Sequence, residues 1–213
     1  MVIVMAIIGI ITVIVITSQG AFNKSLILSN AAYDLGLAIR ATQHYGLGSK
    51  VTTSLGTNTG YGLEFIAGPT AKTFTQFADS YPASVSTGNC HGVPITGTDS
   101  PDAKIGNCIY EGPLELNPDQ VLTTYTLNSG ITVDKVCAYD GAWTCTPTIG
   151  RLDIVFVRPD PTPLMSVDGM YSTTNSPSRA CITLVSPQGG SRSVLINSTG
   201  EIDAAAAACP PLP

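Results

Sequence analysis

Hydrophobic residues fall into three regimes along this 213-residue chain. Residues 1–17 (MVIVMAIIGIITVIVIT) hold no charge, and the first charged side chain is Lys24. From 22 to 45 the pattern changes. Leu28, Ala31, Leu35, Ala38, Ile39 and Thr42 recur at three- and four-residue steps, while Lys24, Asn30, Asp34, Arg40 and Gln43 fall off that stripe. This spacing predicts a helix with one face laid on a sheet. Gly46, Gly48 and Ser49 are its stop signal. Read together, residues 1–45 predict one N-terminal helix about 67 Å long, apolar and then amphipathic.

After residue 46 short apolar runs alternate with turn residues. Strands are expected at 61–67 (YGLEFIA), 74–77, 104–110, 121–127, 131–139, 152–158 (LDIVFVR), 180–185 and 192–197. Asn128-Ser129-Gly130 between two of them reads as a hairpin turn, as does the stretch from Ser186 to Ser191. Ala204 and the four alanines after it, followed by Cys209 and a Pro-rich end, read as a tail tied down by Cys209. The expected class is α+β: a long N-terminal α-helix packed on a C-terminal all-β head of sandwich-like antiparallel sheets. The division is 1–45 for the helix (1–17 apolar, 22–45 amphipathic) and 46–213 for the head.

The apolar start has three readings. A signal peptide needs a basic n-region and a small-residue cleavage site, and the sequence offers neither in good form. A plain transmembrane anchor needs about 20 apolar residues for a core of about 30 Å, whereas 17 residues rise about 25 Å. The third reading is a helix that serves a membrane first and a filament core later. Met1-Val2-Ile3-Val4-Met5 followed by Ala6-Ile7-Ile8-Gly9-Ile10-Ile11 resembles the apolar run of type IV pilins and type II secretion pseudopilins. That family's signature places a short leader, a Gly, then Phe-Thr-Leu-x-Glu before the run. Those elements are not in this sequence, and about five more residues upstream would bring the rod to about 33 Å. The run from Ile182 through Gly189-Gly190 and Arg192 to Gly200-Glu201-Ile202 is similar to the last hairpin of the H-type minor pseudopilins, with Glu201 where a basic residue is common.

The resemblance implies a structural subunit held in the bacterial cytoplasmic membrane by a single pass, head outside. Such a subunit is then drawn into an extracellular or periplasmic filament. Met1, Val4, Ile7, Ile8, Gly9, Ile11, Ile14 and Ile16 would form the membrane and filament-core helix. The implied partners are other pilin or pseudopilin subunits, and membrane lipid before assembly. Gly9 and Gly20 permit close helix approach, or, by the resemblance, mark where the helix extends on entering a filament.

Composition sharpens the picture of the head. Charged residues make up only 12% against about 25% in typical soluble chains. Net charge is −5 with a pI near 4.8, which disfavours nucleic acid as a partner. Six cysteines (Cys90, Cys108, Cys137, Cys145, Cys181 and Cys209) all follow the helix. An even count of this kind reads as a disulfide framework. Among fifteen pairings, the sequential one (90–108, 137–145, 181–209) closes the shortest loops. A metal centre is not indicated: there is no C-x-x-C, and His44 and His91 are not at ligand spacing.

No nucleophile elbow, Walker loop or H-E-x-x-H occurs, so the sequence names no catalytic residue and no cofactor, and the expectation is a protein that is not an enzyme. Asp99, Asp102, Asp134, Asp140, Asp153, Asp160 and Asp168 read as turn and loop residues; no EF-hand spacing turns them into a calcium site. Trp143, between Cys137 and Cys145, reads first as a core anchor and second as a contact point. The competing function is a membrane-tethered or pilus-tip binding module, an adhesin or a DNA-capturing minor pilin.

Overall fold

The computed structural model describes residues 2–48, 60–79, 106–113, 119–171, 176–206 and 209. Among these residues helix α1 (Val2–Leu47) leads into ten strands. These are β1 (Gly60–Ile66), β2 (Thr73–Asp79), β3 (Gln120–Thr126), β4 (Thr132–Tyr139), β5 (Trp143–Cys145), β6 (Arg151–Val157), β7 (Asp160–Val167), β8 (Arg179–Val185), β9 (Ser191–Asn197) and β10 (Ile202–Ala206). They form two five-stranded sheets. The first has the order β3-β2-β1-β6-β7 and the second β10-β9-β8-β4-β5. Neighbouring strands are antiparallel throughout.

This corrects the expected class. The molecule is mostly β, two antiparallel sheets, and among the described residues α1 has no long apolar half. The side chains from 24 to 47 pack on the sheets, while the described ones between 3 and 13 do not. Among the described residues no helix is long and apolar enough to cross a membrane. The expected localisation, a single-pass anchor in the cytoplasmic membrane with the head outside, is corrected accordingly.

The packed part of α1 follows the predicted stripe closely. Leu28, Ala32, Leu35, Ala38, Ile39 and Thr42 are buried, with Ala32 rather than Ala31 facing the sheets. All but Thr42 join one core with Leu63 and Phe65 of β1, Leu152, Ile154 and Phe156 of β6, and Ile182 and Leu184 of β8. The core thus takes side chains from the helix and from both sheets. Burying a Leu or Phe fully contributes about 1.5–3 kcal/mol. Polar ties fix the helix register. Gln76 Nε2 donates to Thr42 Oγ1 at 2.8 Å, Arg40 Nη2 to the Ile202 carbonyl at 3.1 Å, and Gln43 Nε2 to the Pro161 carbonyl at 3.0 Å. Gly46 lies inside the helix rather than stopping it. A Cβ there would stand 2.6 Å from both Cβ and the carbonyl oxygen of Phe156, so only glycine lets the last turn touch the β6 backbone.

Several strand expectations need revision. Asn128-Ser129-Gly130 does not make a hairpin, because β3 belongs to the first sheet and β4 to the second; the turn carries the chain from one layer to the other. The described part of 104–110 is not a strand. Its amides are taken by a side chain instead: both oxygens of Asp79 accept from the backbone N–H of Asn107 and Cys108. Asp153, read as a turn residue, lies fully buried in β6. β5, β7 and β10 were not expected: β5 is three residues long, β7 holds two prolines and β10 is mostly alanine. The hairpin from β8 to β9 and the turn at Asn197–Gly200 are present.

Cys137 is bonded to Cys145 and Cys181 to Cys209. Cys108 is disulfide-bonded as well. Met1, Cys90, His91, Asp99, Asp102 and the side chains of Ile14 and Ile16 lie outside the described residues.

Candidate functional site

Three features stand out as surfaces or clusters that the core does not require. The first is the start of α1. Ile3, Val4, Met5, Ile7, Ile8, Ile10, Ile11 and Val13 are each between 52% and 76% exposed. A helix with large apolar groups around its whole circumference is normally a buried one. Of the residues predicted for a filament core, Val4, Ile7, Ile8 and Ile11 fall in this set. A Cβ added to Gly9 would meet nothing within 4 Å. Thr12 Oγ donates to the Ile8 carbonyl at 2.8 Å, so its hydroxyl is satisfied within the helix and leaves the surface apolar.

The second feature is a buried charge cluster on the outer face of the first sheet. Strand register sets Glu64, Asp153 and Ser166 side by side on β1, β6 and β7. Arg151, two residues before Asp153, shares their face. Its guanidinium lies 2.8 Å from Asp153 Oδ2 and 3.3 Å from Glu64 Oε1, and it also donates to the Tyr110 carbonyl. Ser166 Oγ donates to the Cys108 carbonyl at 2.7 Å. Burial raises Asp153 to about 7, with Arg151 working against the rise. Burial likewise raises Glu64, again opposed by Arg151. Burial is also the leading cause of the rise at Glu111, whose Oε1 accepts from Asn107 Nδ2 at 2.7 Å.

This cluster fastens the segment 106–113 to the sheet. Asp79, Arg151 and Ser166 bind that segment's backbone from below. At Gly106 a Cβ would stand about 2 Å from the Asp79 carboxylate, so the backbone passes where any side chain would collide. Ser166 Oγ also lies 3.4 Å from Asp153 Oδ2, and both residues are fully buried. Among the described residues no group of His, Cys, Asp or Glu is arranged to hold a metal ion. Asp140 and Asp168 do sit at turns, Asp168 Oδ1 accepting from the amides of Gly150 and Arg151 at 2.9 Å, whereas Asp134 lies within β4 and Asp160 opens β7.

The third feature is a row on the outer face of the second sheet. Tyr139 stands opposite Trp143 on β5 and opposite Arg179 on β8. The two rings have centroids 5.3 Å apart, and the Arg179 guanidinium lies 5.7 Å from the Tyr139 ring. Trp143 is half-buried against the cystines Cys137–Cys145 and Cys181–Cys209. It is therefore not an anchor of the main core, which lies on the other face of that sheet. Side chains from distant strands build both this row and the charge cluster. Sequence offered one signal for the cluster: an aspartate inside the apolar run LDIVFVR.

The chain matches no family model, no curated protein and no solved structure.

Proposed function

We propose that this chain is a pilin-like structural subunit that joins a filament through the apolar start of α1. The observation that carries this reading is the set of eight large apolar side chains between residues 3 and 13, all more than half exposed. Monomeric soluble proteins rarely keep contiguous apolar surface of this kind, and where they do it marks an interaction site. The match of residues 6–10 to the apolar run of pilins and pseudopilins supports the same reading. So does the division of labour along α1, whose later part alone is committed to the head's own core. Subunits that meet through one protruding element and one receiving surface make heterologous contacts, which extend into fibres when the rotation does not close.

The experiment compares the full chain with Ile7→Asp/Ile10→Asp. Both positions are exposed, so the head should keep its melting temperature and far-ultraviolet spectrum. Assembly, followed by sedimentation and negative-stain electron microscopy, should be lost. Assemblies of unchanged size and amount in the double variant would refute the reading.

A further inference from the structure

Edge strands invite pairing with other chains, and proteins blunt them with charges, prolines, bulges or short length. Three of the four sheet edges among the described residues carry a charge, a proline or a cross-link. β7 carries Asp160, Pro161 and Pro163. β5 is three residues long and cross-linked to its neighbour. β10 has five residues, includes Asp203 and loses register with β9 after that residue.

β3 is different. Its seven residues, QVLTTYT, contain no charge and no proline. Gln120, Val121, Thr123, Thr124 and Thr126 are exposed, while Leu122 and Tyr125 are half-buried. Among the described residues its one strand neighbour is β2. One irregularity, at Leu122, separates its ends. The half from Thr123 to Thr126 pairs with β2 without a break. Beside that half lies a groove of about 600 Å³, walled by Phe74, Tyr125 and Leu127 on one side and by Ile27, Leu37 and Ala41 of α1 on the other. Ile27 and Leu37 are 40% and 44% exposed. An added strand would take backbone hydrogen bonds from β3 and set alternate side chains into this groove.

We propose that the occupant is a second copy of this chain, pairing β3 to β3 in antiparallel sense so that two copies of the first sheet become one ten-stranded sheet. Charge selects this occupant. The strand is neutral, so two copies meet with no like charges opposed, and its β-branched threonines form favourable cross-strand pairs. The groove carries a single charged residue, Asp34, and so gives a highly charged partner little to match. A two-fold axis at β3 also turns the two grooves towards each other, so that the exposed Ile27 and Leu37 of each copy are covered by the other. This contact goes beyond the filament reading and does not use residues 3–13.

The test uses the full chain in a non-ionic detergent, which shields residues 3–13, and follows sedimentation over a concentration series. The unsubstituted chain should form a dimer. Thr124→Lys and Thr124→Glu should each weaken it at least tenfold, because each opposes like charges across the axis, and an equimolar mixture of the two should recover it. Thr124 is exposed, so both variants should melt close to the parent. Amide exchange in the unsubstituted chain reads the same contact without any substitution: β3 should slow as concentration rises. A monomer at every concentration would overturn the proposal. So would a dimer equally strong in both variants, a mixture that stays monomeric, or β3 exchange independent of concentration.

Discussion

Arg151 contacts two buried carboxyls, and Arg151→Met should show what it holds. The substitution keeps the bulk of the side-chain stem and removes the charge. Asp153 is fully buried and Glu64 nearly so, so both would be left without their counter-charge. Removing one partner of a buried ion pair costs about 3–5 kcal/mol. With an m-value of about 2 kcal/mol/M, that loss moves the urea midpoint down by roughly 2 M. The effect should depend on pH, and the sign follows from proton binding. Burial already lifts Asp153 from the usual carboxyl range to about 7. Between those values the folded chain holds a proton that the unfolded chain has released, so stability falls as pH rises through that window. Glu64 and Glu111, raised by the same cause, act in the same direction. Without Arg151 both Asp153 and Glu64 rise further. The loss should therefore be largest near pH 8 and smaller near pH 5, where both carboxyls can take up protons. Asp153→Asn added to Arg151→Met should return part of the loss at pH 8. Urea titrations followed by Trp143 fluorescence and circular dichroism, disulfides intact, give these quantities. An equal loss at both pH values, or a loss below about 1 kcal/mol, would refute the account of this cluster.

Other outcomes follow from the packing. Gly46→Ala should destabilise by about 1–3 kcal/mol because the new methyl collides with the β6 backbone at Phe156, despite alanine's better helix propensity; Gly9→Ala, with open space around it, should show only the propensity gain of up to about 1 kcal/mol, read as increased helix content by circular dichroism. Removing the Cys181–Cys209 bond, whose sequence separation is 28, should cost about 3–4 kcal/mol by loop entropy, and removing Cys137–Cys145, with separation 8, about 1 kcal/mol less; paired Cys→Ser variants in urea separate the two. Leu35→Ala should cost about 2–5 kcal/mol, measured the same way, since Leu35 is among the largest fully buried side chains.

What could be read from sequence was what neighbours in the chain decide. The helical stripe from Leu28 to Thr42 is a periodicity, and the β8–β9 hairpin pairs two alternating runs across a Gly-Gly turn. What could not be read depends on which distant segment arrives. Asn128-Ser129-Gly130 has the same turn chemistry whether the next strand pairs with the last or crosses to another sheet. Pro161 and Pro163 spoil the strand signal of β7, yet an edge position tolerates them. The row of Glu64, Asp153 and Ser166 exists because β1, β6 and β7 share a register. The aspartate in LDIVFVR was its single local trace. The apolar start of α1 was plain in composition, but composition alone did not set how much of it would be helix of membrane length.

Strand register also puts four sulfur-bearing residues in line. Cys145 lies opposite Cys137, and Cys137 lies opposite Cys181, which holds Cys209. The two cross-links are thus immediate neighbours, and thiolate attack can swap partners between adjacent sulfurs. An error during oxidation that joined 137 to 181 would keep β4 and β8 aligned. It would also strand the thiols of 145 and 209 at the two flanks and release the carboxyl-terminal end of the chain. Closure of either native bond removes one partner of that error, so the chain is open to direct mispairing only while Cys137 and Cys181 are both still thiols.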